Sequence, residues 1–227
     1  MIDPRDLIQG TPEWAAARCG SLGASSLHEA LARTKSGWGA SRANLKARLV
    51  AERLTGIPQD TFMNDAMRWG IEHEAEARAA YAFFRDAEVA EVGLVLHPGI
   101  TGTHASPDGL VGDEGVLELK CPGTAAHIDV LLTKSIPDKY LVQMQWQIAC
   151  TGRAWADYCS YDPRMPGDLQ LFVQRVPRDN KRIAALESEV REFLAEVDAT
   201  IAALTGRSVE HLGERLRESA TILGAAE

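Results

Sequence analysis

The sequence predicts an α/β fold, and three observations carry that prediction. Helical periodicity dominates residues 64–85, 138–150 and 179–204. Short alternating runs at hairpin spacing fill 89–120. Two further runs, 154–162 and 169–176, follow the middle helices. The 227 residues, 45% of them hydrophobic, suffice for a packed core. With no internal repeat, low-complexity linker or boundary, residues 1–227 are expected to form one domain, with 179–227 as C-terminal packing helices.

Taken in order, Thr11 is an N-cap, with Pro12 and Glu13 in the first turn of a short helix that ends near Cys19 and is stopped by Gly20. Trp14 and Arg18 share its face. Arg18 either snorkels over a core tryptophan or joins Ser21 and Ser25, at the start of a helix over 24–32, in a phosphate pocket. Residues 33–40, RTKSGWGA, are a basic loop. Arg33, Lys35 and Arg42 around Trp38 suit a duplex edge or a frayed base, although an exposed loop of this composition is ordinary. A helix over 41–54 buries Leu45, Leu49 and Val50 and carries Arg42, Lys46 and Arg53 on its other side; Thr55-Gly56 closes it.

Asn64 or Asp65 caps the helix to Arg85, whose stripe is Trp69, His73, Ala77 and Tyr81. Glu74, beside the stripe, reads by itself as a solvated glutamate. Gly70 within the helix points to close approach by a backbone or a ligand. Strands are expected at 89–96, 102–105, 109–111 and 116–120, then helices at 124–132 and 138–150. After the strands at 154–162 and 169–176, Asp179 caps a helix to about Leu204 with a seam of Leu186, Val190, Leu194 and Val197; a shorter helix is expected at 210–219.

The formal charge of -8, from 24 basic and 32 acidic residues, argues against coating nucleic acid with the whole surface and leaves room for a local basic channel. Cys19, Cys121, Cys150 and Cys159 are widely spaced, which favours reduced thiols and disfavours a zinc site. No run of 18 apolar residues marks a membrane helix, and the N-terminus lacks a signal-like region, so a cytoplasmic location is the default expectation.

The stretch His104–Pro122, HASPDGLVGDEGVLELKCP, carries the chemistry. In VLELK, Val116, Glu118 and Lys120 share one strand face and Leu117 and Leu119 the other. Acids and a lysine on a sheet are costly unless paired or bound to a metal. Asp108 from a turn and Glu118 from a strand can converge on one magnesium ion, to which the Leu119 carbonyl adds a ligand. Lys120, on the Glu118 side, is placed to orient or deprotonate an attacking water. Pro107-Asp108, followed ten positions later by Glu118-Leu119-Lys120, matches the PD-(D/E)xK nuclease pattern. A DG turn before a charged edge strand is the alternative reading.

The segments GTPEWAAARCGSLGAS, AMRWGIEHEAEAR, THASPDG, LELKCP, YLVQMQWQ and YDPRM resemble, in order and spacing, the lambda exonuclease and YqaJ-like viral recombinase family. The resemblance spans most of the chain and weakens in the final helices. It implies a restriction-endonuclease-like core, with a central mixed β-sheet flanked by helices. It also implies a Mg2+-dependent, processive 5′-to-3′ exonuclease (Mn2+ able to substitute) that degrades one strand of linear duplex DNA to mononucleotides. Asp108 and Glu118 then match the metal-binding acids, Lys120 the catalytic lysine, and Glu74 an acid acting through water or a second ion. Gln143 matches the active-site glutamine, with Tyr140 three residues before it. Arg18 and Ser25, joined by Ser106, match residues that recognise a 5′-phosphate. The family further implies a ring-shaped homotrimer, with Arg33, Lys35, Arg42 and Lys46 as candidates for the channel lining. A single-strand annealing recombinase as partner and a phage or prophage origin also follow from the resemblance. Competing readings are a structure-specific or restriction-like endonuclease and an inactive DNA-binding protein.

Overall fold

The structure, a computed structural model, describes residues 3–35, 37–59 and 63–206. A 3-10 turn, Pro4–Asp6, precedes α1 (Pro12–Arg18) and β1 (Leu22–Gly23). Thr11 caps α1 by accepting the Trp14 N–H. The region expected as one helix over 24–32 is a 3-10 turn, Ala24–Ser26, followed by the four-residue α2 (Leu27–Ala30). The basic loop folds into a tight hairpin, β2 (Arg33–Thr34) with β3 (Gly37–Trp38). Helix α3 (Ala40–Thr55) ends on left-handed Gly56, and α4 (Asp65–Arg85) starts at an Asn64 cap, as the sequence predicts.

Strands β4 (Val89–Ala90), β5 (Val95–Leu96), β6 (Thr103–Ala105), β7 (Gly109–Val111) and β8 (Gly115–Lys120) follow. Helices α5 (Thr124–Thr133) and α6 (Asp138–Thr151) then cross over to β9 (Trp155–Tyr161), and β10 (Leu171–Pro177) leads into α7 (Asn180–Thr205). The main sheet has the order β10-β9-β8-β7-β4. Only β8 and β9 pair in parallel, so the sheet is mixed, and the two helices between them supply the crossover that a parallel pair requires. A second sheet runs β1-β6-β5. The shorter C-terminal helix expected at 210–219 lies outside the described residues. Among the described residues no helix is long and apolar enough to cross a membrane.

Alternation in β8 builds two cores. Val116 joins the larger one, with Leu45 and Leu49 of α3, Trp146 of α6 and the Leu186-Val190-Val197 seam of α7. Leu117 and Leu119 join a smaller one, under Ala77 and Tyr81 of α4. Glu118 and Lys120 thereby project to the α6 side, between packed layers that hold them in place.

The run 89–96 is not one strand. The Gly93 and Leu94 N–H groups donate to the Arg5 and Pro4 carbonyls, at 2.9 Å each, so the middle of the run pairs with the N-terminal turn. Its two ends go to different sheets: β4 joins the main sheet and β5 the small one. Gly93 is required by close approach, since a Cβ there stands 2.1 Å from the Leu7 carbonyl oxygen. We expect Gly93→Ala to lower unfolding free energy by about 2 kcal/mol in urea titrations, the cost of forcing a packed segment apart. A parental midpoint for this variant would contradict the packing described here.

Candidate active site

The turn before β7 and the strand β8 bring the central acids together. The Asp108 N–H donates to the Leu117 carbonyl at 3.2 Å, and Asp108 Oδ2 accepts the Leu119 N–H at 2.6 Å. Glu118 is fully buried. Its Oε2 accepts from Gln147 Nε2 of α6, and its Oε1 faces the Lys120 ammonium in an ion pair. Beside it, the buried Gln147 Oε1 has no hydrogen-bond partner among the described residues.

Charge and burial oppose each other here. Burial, then Glu118, push the Asp108 carboxyl well above its usual range; Glu74 adds to this, while Lys120 and the Leu119 N–H oppose it. Burial acts to lower Lys120, but Glu118 and Asp108 outweigh it, so its ammonium is held protonated. Glu74 is raised by burial against the pull of Arg78. Arg78 donates to Glu74 Oε1 at 2.6 Å and to the Asp108 carbonyl at 2.9 Å, tying α4 to the catalytic turn.

Lys120, Glu74, Gln143, Tyr140, Leu119 and Ser25 all line a cavity of about 540 Å³. Lys120 Nζ sits 5.2 Å from the Tyr140 ring centroid. Gly70 has no neighbour at its Cβ position and opens onto this cavity, so it lies against open space and not against a backbone. Asp108 lies behind, on an adjoining cavity with Glu74 and Arg78. Glu118 is covered by Lys120. Among the described residues no three acid, histidine or cysteine side chains surround one point. The hard donors are the two carboxylates and the Leu119 carbonyl; Glu74 is turned to Arg78.

Arg18 lies on a second cavity of about 510 Å³, whose wall shares Ser25 and Met67 with the first. Its guanidinium stacks 3.9 Å above Trp14, as the packing reading expects, yet its Nε still donates to His104. Ser106 accepts a 3.3 Å bond from Trp14 Nε1 and is joined to that ring rather than to the Arg18 cavity.

Of the four cations expected to line a channel, Arg42 and Lys46 face Glu196 instead. Arg33 and Lys35 are exposed on the hairpin. Arg42 is buried between Trp38 and Phe193 and donates to the Ala30 carbonyl and Glu196, so it cannot line a channel. Lys46 also faces Glu196, at 3.6 Å, and Arg53 pairs with Asp198 of α7. These cations neutralise Glu196 and Asp198 of α7. Gln147, Arg78 and His104 carry roles that sequence reasoning missed. Gln147 had a signal: it lies one helical turn from Gln143 in the same YLVQMQWQ segment.

Residues 13–154 match the YqaJ-like viral recombinase domain. Among solved structures, the chain is similar to the alkaline exonuclease LHK-Exo from Laribacter hongkongensis. The identity is 45%, over 94% of this chain and 100% of that one, with a TM-score of 0.78. For LHK-Exo in complex with dAMP the identity is 45%, the coverage 93% and 100%, and the TM-score 0.81. A phage related exonuclease from Haemophilus somnus 129PT shares the fold, with 15% identity over 82% of this chain and 96% of that one and a TM-score of 0.68. No curated protein sequence matches. A domain match over more than half the chain, with near-complete coverage at 45% identity, leads to one conclusion: the chain belongs to the YqaJ-like viral recombinase family.

Proposed function

We propose that this chain is a Mg2+-dependent exonuclease that degrades one strand of linear duplex DNA from a 5′-phosphorylated end. It would release mononucleotides processively and leave a 3′ overhang for phage-type recombination. One observation carries the reading: Lys120, paired with Glu118, lines with Glu74 a cavity that shares its Ser25 and Met67 wall with a cavity holding Arg18. Cutting chemistry thus adjoins a site suited to a chain end. Similarity to LHK-Exo, whose complex contains dAMP, supports the same direction.

The donor set fits magnesium. Asp108, Glu118 and the Leu119 carbonyl are hard oxygens, and the Asp108 carboxyl, raised by burial and then by Glu118, is one that a dication would stabilise in its charged form. These groups would hold the ion, which would supply polarisation of the phosphate and activation of a water. Lys120 Nζ is held protonated by Glu118 and Asp108 and, lining the cavity beside them, would orient the attacking water. Gln147 keeps Glu118 in one rotamer, and Arg78 fixes the Asp108 turn. In the hydrolysis, the water oxygen joins phosphorus, the P–O3′ bond breaks and the 3′ oxygen takes a proton. The shortened strand then carries a new 5′-phosphate, so each cycle regenerates the recognised end.

We extend the proposal to a toroidal homotrimer, with Arg33 and Lys35 toward DNA, and to a single-strand annealing recombinase as partner. The test is a gel assay with magnesium on linear duplex ending in 5′-phosphate, linear duplex ending in 5′-hydroxyl, and closed circles. Loss of one strand from the phosphorylated linear duplex is expected. Efficient cutting of closed circles would indicate an endonuclease, and no cleavage of any substrate would leave a DNA-binding protein.

A further inference from the structure

We infer that the segment 161–164, YDPR, is a bracket that holds the cavity half of α4 against the end of β8, and that Arg164 is a positioning residue acting on cleavage through Glu74. The inference rests on the nuclease reading for its effect on rate, while the bracket itself can be measured without cleavage.

Helix α4 needs outside support at the end that walls the cavity. Its buried residues are Ala77 and Tyr81, both in its C-terminal half. No side chain in 65–76 is fully buried, although Ala66, Met67, Gly70 and Glu74 all line the cavity beside Lys120. Most of a helix's stability in a protein comes from the packing of its apolar face. About three turns that bury no side chain are therefore prone to local opening unless something else fixes them.

The end of β9 and the turn after it supply that support. The Tyr161 hydroxyl donates to Glu76 Oε1 of α4 at 2.8 Å. Asp162 is fully buried, and Arg164 meets it with two bonds, Nε to Oδ1 at 2.7 Å and Nη2 to Oδ2 at 3.0 Å. Burial opposes ionisation of Asp162, but hydrogen bonds from Arg164 and Thr124 outweigh it and lower the carboxyl to about 2, so the pair stays charged at neutral and alkaline pH. Held in this way, the guanidinium reaches both walls of the cavity. Its Nη2 also donates to the Pro122 carbonyl, two residues beyond Lys120, at 3.3 Å, and its Cζ stands 4.2 Å from the Trp69 ring centroid on α4. The Trp69 ring stacks on His73 as well, at 3.6 Å between centroids. Its buried indole N–H has no hydrogen-bond partner among the described residues, so stacking rather than hydrogen bonding places the ring. Strands β8 and β9 pair in parallel with Lys120 opposite Ser160. Arg164 thus ties the helix that carries Glu74 to the sheet that carries Lys120. Lysine has neither the fork nor the flat face that these contacts use.

The test combines hydrogen exchange with single-turnover kinetics on the full chain. Without metal or DNA, Trp69→Leu and Arg164→Lys should each speed amide exchange over 66–74 about tenfold, while 78–85 and the β9 amides keep the parental rate. With magnesium and 5′-phosphorylated linear duplex, both variants should lose about tenfold in rate, as removal of an outer partner of an active group does. Combined with Glu74→Gln, either change should cost little more, because the bracket acts through that residue; a merely structural defect would multiply with it. Trp69→Leu leaves the bonds of Arg164 to Asp162 and Pro122 whole, so it reads the bracket even where an Arg164 variant folds poorly. Parental exchange over 66–74 in both variants, or rate losses that multiply with Glu74→Gln, would overturn the assignment. Faster exchange over 66–74 in a protein whose parent degrades no DNA keeps the bracket and sinks the nuclease reading alone.

Discussion

Lys120→Ala is expected to slow strand degradation by about 10³-fold, within the range for loss of a positioned acid–base group. The effect is large because Lys120 joins Glu118 to the open cavity. The change also strips a fully buried carboxylate of its ion-pair partner. Removing one member of such a pair costs on the order of 3 kcal/mol. The metal-free variant should therefore melt earlier than the parent, and magnesium should restore part of the loss by placing positive charge on Glu118. Single-turnover rates on phosphorylated duplex, with melts at several magnesium concentrations, test both halves. A parental rate for Lys120→Ala sinks the assigned role.

Asp108→Asn should be equally inactive, by about 10³-fold, yet more stable than the parent when metal is absent at pH 8. Burial first, then Glu118, raise the Asp108 carboxyl above its unfolded value. Stability from such a group is fully present below the ordinary aspartate range and is lost as pH rises through the raised folded value. At pH 8 the parent thus carries an unfavourable carboxylate that asparagine removes. Magnesium should accordingly raise the parental melting temperature more at pH 8 than at pH 5 and leave the variant nearly unmoved. Thermal melts of both proteins, with and without magnesium, at the two pH values read this out. Equal magnesium shifts in parent and variant would argue that Asp108 is not a ligand.

The legible parts of the sequence were those written in a local period. Alternation over 116–120 assigns opposite faces to Glu118 and Leu119, and two separate cores confirm that division. The helix caps Thr11, Asn64 and Asp179 are local and are found where expected. Readings that depended on distant partners fared worse. A basic residue such as Arg42 looks solvent-facing until Glu196, 154 positions later, covers it. The 89–96 run looks continuous because no local pattern reveals that the Pro4 and Arg5 carbonyls take its central N–H groups. Glu74 and Gln143 entered through family resemblance, since a glutamate or glutamine on a helix is uninformative by itself; the cavity they share with Lys120 now joins them.

Helix α7 has no reactive side chain on the site, yet it bears on recognition. Helix α3 offers Arg48 to the cavity that holds Arg18, while Arg42, Lys46 and Arg53 grip Glu196 and Asp198. Helix α7 therefore acts as a splint: it braces the rod that carries Arg48. Weakening that brace is expected to register first as poorer discrimination between chain ends, before any change in how a bond is cut.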